Sequence, residues 1–123
     1  VAVYRKLAET VRILAMNGRV IVVGRAGNRI TRDLKGGYHV RLVASIDWKM
    51  KRVSEMAGIS AGEARNLIHE KEEARDKFIR EFIKFDVTDP HNYDLVINNT
   101  NHTAEQAVPI IIEGMKARGL LSQ

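Results

Sequence analysis

Two groups of residues have the types and spacing that work on a phosphate requires. The first is "VIVVGRAGN", residues 20–28, where an apolar run of strand length enters a turn holding two glycines and an arginine. Such a turn aims backbone N–H groups and, here, the Arg25 guanidinium at an anion. Gly24, Arg25, Gly27 and Asn28 are its candidate binding residues. The second is "KEEAR", residues 71–75, in which Lys71 and Arg75 stand four apart and share one face of a helix. Alone, two such cations repel by about 0.2–0.5 kcal/mol, and an anion between them reverses the sign. Each group also has an ordinary reading. An arginine in a polar turn is commonly a surface residue, and a charged helix face is commonly just solvated.

Composition bounds what these groups can belong to. The chain has 123 residues, 45% of them apolar, with a net charge of +5 and no cysteine. That length suits a single domain, residues 1–123. No run approaches the roughly 18 apolar residues that span a bilayer, and no signal-peptide pattern opens the chain, so a cytoplasmic, membrane-free protein is expected. Without cysteine, and with His39, His69, His91 and His102 outside the close pair spacings of zinc sites, no metal held by side chains alone is expected. The positive balance suits an anionic partner. Specific nucleic-acid binding is not expected, because the basic residues of the long helix alternate with Glu70, Glu72, Glu73 and Asp76 and few aromatic platforms are present.

The elements that must position these residues follow from periodicity. Leu7, Val11 and Leu14 mark a first helix that stops at Asn17-Gly18. The continuous apolar run 20–23 predicts a strand buried on both faces. A polar, glycine-rich connection over 25–37 leads to a second strand at 38–45. Ser45 caps a helix that ends at Gly58, and "SAGE", residues 60–63, opens a long helix reaching about residue 82. A turn at Pro90 precedes a third strand over 93–98, and "TAEQ", residues 103–106, starts the last helix, which contains Pro109. This order predicts an α/β domain with largely parallel strands. Ligands gather at the carboxyl ends of such strands, which would put 24–29, 44–45 and 98–101 on one rim.

The segments "VIVVGRAGNRITRDLKGGYHVRLVAS", "GISAGEA" and "DPHNYDLVINNT", in this order and spacing, resemble the cytidylate kinase-like family, relatives of the nucleoside monophosphate kinases. The likeness covers roughly residues 18–115. It implies a parallel-sheet, three-layer P-loop kinase-like fold and transfer of the terminal phosphoryl group of ATP to a nucleoside monophosphate, with magnesium between the phosphates. By the same resemblance Arg25 would bind the acceptor's phosphate within the turn of Gly24, Gly27 and Asn28. Residues 60–84 would form a closing lid that presents Lys71 and Arg75 as catalytic cations. Glu72 stands where the family tends to place a ribose-binding aspartate three residues before an arginine. Asn98 and Thr100 would lie beside the donor's adenine.

One part of the family pattern has no counterpart: nowhere does G-x-x-x-x-G-K-[ST] occur. In the family that loop follows a first strand lying upstream, between the strands that match 20–24 and 38–45. The chain therefore reads as the C-terminal two-thirds of such a kinase, truncated at its N-terminus and inactive by itself. A noncatalytic nucleotide-binding or oligomerising module is the alternative, since unpaired strand edges invite association.

Overall fold

The computed structural model describes residues 2–24 and 26–121, apart from the side chains of Ala2 and Phe82. In chain order the elements are α1 (Ala2–Asn17), a short α2 (Gly27–Ile30), β1 (Val40–Val43), α3 (Ile46–Ala57), α4 (Ala61–Phe78), a π-helical turn (Ile79–Ile83), a 3-10 turn (Pro90–Asn92), β2 (Leu95–Asn98) and α5 (Ala104–Ala117). None of the helices is long and apolar enough to cross a membrane among the described residues.

β1 and β2 pair in parallel, with Val40 opposite Leu95, Leu42 opposite Ile97 and Val43 opposite Asn98. Parallel neighbours need a long crossover, which α3, α4 and the π-helical turn supply. Ile97 is buried, whereas Leu42, its register partner on the same face, is 55% exposed. α5 lies against β2.

The strand expected at 20–23 does not form. Those residues carry no regular structure, and Ile21 and Val23 are 90% and 84% exposed. The physical reason lies in the sheet: among the described residues β1 pairs only with β2, and no strand stands on its other side to receive this run. A strand cannot exist without a partner for its N–H and C=O groups. The first helix shows the same deficit. Only Val11 of its apolar stripe is buried, while Leu14 and Ile13 remain exposed. α1 is held by the Tyr4 ring, edge-on to Phe78 at 6.0 Å, and by polar contacts, with Arg12 donating to the Ile30 carbonyl at 2.9 Å and pairing with Asp33 at 2.8 Å. That guanidinium holds the Asp33 carboxyl below the usual range, and Asp33 in turn raises Arg12.

The other boundaries follow local chemistry. Ser45 accepts from the Trp48 N–H to cap α3, and Gly58, at φ 66°, closes it in the left-handed region that glycine tolerates. Ser60 caps α4 by accepting from the Glu63 N–H. Fully buried Ala64 lets α3 and α4 approach closely as an antiparallel hairpin. At the end of α4 the ladder widens by one residue: the Lys84 N–H reaches the Ile79 carbonyl at 2.9 Å, and Lys84 itself turns to φ 54°. Beyond it, Arg41 of β1 lies 5.9 Å from the Tyr93 ring centroid and donates to the Val87 carbonyl, which also accepts from the Tyr93 hydroxyl. Thr103 and Gln106 form the reciprocal capping box at the start of α5, and Pro109 sits inside that helix without ending it.

Candidate functional site

The carboxyl ends of the two strands are tied together. The Ser45 N–H donates to Thr100 Oγ1 at 2.8 Å, and the Asn99 N–H donates to the Val43 carbonyl at 2.7 Å. Asn98 Oδ1 accepts from the Thr100 N–H at 3.0 Å, which makes the turn after β2. Asn98 and Thr100 therefore stand on this rim, with their side chains shaping it. His102, which the sequence marked only as lying outside zinc-site spacing, belongs here as well. Its Nδ1 donates to the Asn98 carbonyl at 2.9 Å, which leaves Nε2 as an acceptor in the neutral ring.

α3 starts on the same rim, because its cap is Ser45. Lys49 lies four residues along, about 6 Å up the helix. Its ammonium pairs with Glu72 Oε1 at 2.5 Å, each side chain about one-third exposed. This contact brings α4 back toward the rim at the position of Glu72. Lys71 is its neighbour in the chain and Arg75 lies three residues on, hence on an adjoining face. Both cations are exposed, and Arg75 Nε approaches Asp76 Oδ1 at 3.5 Å. No spacing rule in the sequence could have selected Lys49, since the pair joins two helices 23 residues apart.

The glycine turn behaves differently from expectation. Gly24 has φ 69°, so a turn does form there, and Gly27 is buried so tightly that an added Cβ would lie 2.9 Å from Val22 Cγ1. Arg25 lies outside the described residues. Asn28 does not join the rim of Ser45 and Thr100. It lines a polar cavity of about 220 Å3 together with His39 and Asp94, residues that immediately precede β1 and β2 and so mark the opposite edge of the sheet. The expectation of one shared rim fails at this residue because the 20–23 run is not anchored in the sheet.

Around that cavity the hydrogen bonding is specific. The Thr31 hydroxyl donates to the Gly27 carbonyl at 2.7 Å, so it must accept from His39 Nε2 at 3.1 Å. His39 Nδ1 then faces Asp94 Oδ2 at 3.7 Å, while the same oxygen accepts from the His39 N–H at 2.7 Å. Arg118 pairs with Asp94 Oδ1 at 2.6 Å. Among the described residues, no group of three His, Cys, Asp or Glu side chains is placed to hold a metal ion.

Residues 2–101 match the cytidylate kinase-like family. The chain belongs to this family. Among curated proteins it is similar to the uronate isomerase of Corynebacterium glutamicum, 26% identical over 93 residues, which cover 76% of this chain and 18% of that protein. Among solved structures it is similar to an uncharacterized protein from Eubacterium ventriosum, with a TM-score of 0.87 and 21% identity over 94% of this chain and 65% of that one. The second likeness establishes the fold at that level of identity. The chain thus spans less than a fifth of the curated relative and 65% of the solved one. Membership of the family establishes a kinase-like relationship, and the structure supplies an α/β architecture around a small parallel sheet.

Proposed function

We propose that this chain supplies the acceptor side and the lid of a phosphotransferase that moves the terminal phosphoryl group of ATP to a nucleoside monophosphate. The observation that carries the reading is the rim at the carboxyl ends of two parallel strands, with Glu72 drawn toward it by Lys49. In this reading Lys71 and Arg75 meet the negative charge that spreads over the transferring phosphoryl oxygens, the form of help this reaction most needs from a protein. Glu72 is a ribose contact, released from Lys49 when nucleotide binds. Arg25 and Gly24 hold the acceptor's phosphate, and Asn98 and Thr100 form the turn beside the donor's base. Asn28 is left out because it faces the other edge of the sheet. Magnesium would enter on the nucleotide phosphates and neutralise them, as it commonly does, and no residue of this chain is assigned to it.

The fold reading that goes with it is a three-layer P-loop kinase-like sheet. Its phosphate-cradling loop and leading strand would be supplied by polypeptide beyond these residues, the strand lying between the 20–23 run and β1. Phosphorylation of CMP by ATP should accordingly be undetectable with the 123-residue chain. It should appear in a longer product of the same reading frame carrying such a loop. In that product, Lys71→Ala and Arg75→Ala should each lower kcat/KM by about 100-fold or more, the scale seen when one positioned charge is removed from a transition state. Activity in the 123-residue chain would overturn the division of labour, and unchanged kcat/KM in both variants would remove the lid cations from the site.

The exposed apolar run at 20–23 favours a second reading, a noncatalytic nucleotide-binding or oligomerising module. Nucleotide binding without turnover in the longer product would select it.

A further inference from the structure

A hydrogen-bonded chain at the amino ends of the strands takes no part in the proposed chemistry, yet it links α2 to the sheet. The Thr31 hydroxyl has one hydrogen and gives it to the Gly27 carbonyl at 2.7 Å, so the 3.1 Å contact with His39 Nε2 is an N–H donated by the ring. His39 is itself fixed beside the neighbouring strand. Its N–H donates to Asp94 Oδ2 at 2.7 Å, and its carbonyl accepts from the Asp94 N–H at 2.7 Å. Arg118, just past the end of α5, donates to the other Asp94 oxygen at 2.6 Å. Thr31 is 9% exposed and the His39 side chain 20%, so water competes little for the bond between them. Among the described residues, this is the hydrogen bond that runs from residues 20–36 to β1 or its flank.

The segment it holds needs such a link. Among the described residues the 20–23 run pairs with no strand, and the turn after it is closed on itself. The Gly27 N–H donates to the Gly24 carbonyl at 3.1 Å, and Gly27 packs against Val22. α2, about 6 Å long, carries that turn at its amino end and Thr31 as its carboxyl cap. We propose that His39 is a positioning residue, which through Thr31 sets where α2 and the Gly24 turn stand against the sheet. Its consequence for function rests on the reading of Gly24 and Arg25 as holders of the acceptor's phosphate. In that reading His39 touches no substrate and governs affinity for the acceptor, whereas Asn98 and Thr100, beside the donor, are placed by β2 and its turn. Displacing a binding group by about 1 Å can cost about 100-fold, so a single hydrogen bond in the right place carries weight.

The first test uses the 15N-labelled 123-residue chain. In the wild type, amide residual dipolar couplings of Gly24 and residues 26–31 should fit the same alignment as those of β1 and β2. Thr31→Val removes the hydroxyl at nearly constant volume, and His39→Phe removes the ring donor while keeping a ring. Either change should scale the couplings of Gly24 and 26–31 toward zero while those of the strands hold, and Thr31→Ser, which keeps both hydrogen bonds, should match the wild type. In the longer product carrying the phosphate-cradling loop, Thr31→Val should raise KM for CMP by about ten-fold or more and leave KM for ATP essentially unchanged, with Thr31→Ser again like the wild type. Couplings unchanged in both variants, lost equally in the strands, or lost in Thr31→Ser as in Thr31→Val would overturn the positioning role. So would an active Thr31→Val whose KM for CMP is unchanged, or whose KM values for CMP and ATP rise together. A wild-type longer product without activity removes the acceptor reading instead, and the couplings still decide whether His39 places α2.

Discussion

Lys49 illustrates how a residue with no motif acquires a place in a site. It is one of several lysines and arginines on α3, and only the return of α4 past it selects Glu72 as its partner. Because each side chain is about one-third exposed, a double-mutant cycle with Lys49→Met and Glu72→Gln, read by urea unfolding, should give a coupling of about 0.5–1 kcal/mol. A value indistinguishable from zero would leave the pair without a role in holding the hairpin. Asp86 and Asp89 invite a second measurement. The Thr88 hydroxyl and then its N–H hold Asp86 below the usual carboxylate range, and the His91 N–H, followed by its ring, does the same for Asp89. A carboxyl whose folded value is depressed stabilises the fold above its unfolded value, near pH 4, and that contribution is lost as pH falls through the folded value. The urea midpoint should therefore fall from about pH 4 downward, and Asp86→Asn should flatten that decline. An acid limb identical in the variant would contradict the assignment.

At the scale of elements, what was readable were the boundaries that rest on local chemistry. Asn17-Gly18, Ser45, Gly58, Ser60 and Thr103 act within a few residues of themselves, so their helices start and stop where the sequence indicates. The run at 20–23 is the opposite case. Its composition is right for a buried strand, yet a strand's existence is decided by a neighbour, and here none of the described residues supplies one. Asn28 is misplaced on the sequence's account for the same reason, as its position on a rim depended on that strand. Three of four consecutive β-branched residues, Val20, Ile21 and Val23, are left in solvent, which should make the isolated chain associate. Sedimentation of the wild type should show concentration-dependent oligomers, and Ile21→Lys with Val23→Lys should leave a monomer of unchanged helix content. Equal oligomerisation in wild type and variant would place the contact elsewhere.

For the molecule as a whole, the described residues join the sheet to the helical hairpin at the cap of Ser45 and through the π-helical turn after Phe78, with the clasp of Arg41 on Tyr93 and Val87 beyond it. The extra residue in that turn acts as a phase setting. In an α-helix each residue advances the side chains by about 100°, so one inserted residue rotates the rest of the helix relative to whatever the far end is bolted to. With the chain beyond Lys84 fixed to the sheet, residues 79–83 act together with the packing of α4 on α3 to set which way Lys71, Glu72 and Arg75 point. Deleting one residue from this turn should return it to ordinary α geometry without removing any of those side chains. In the longer product the deletion should cost activity as fully as losing the cations themselves, while circular dichroism stays unchanged. The direction in which the charges of α4 face thus depends in part on a count of residues that begins one to two turns away from them.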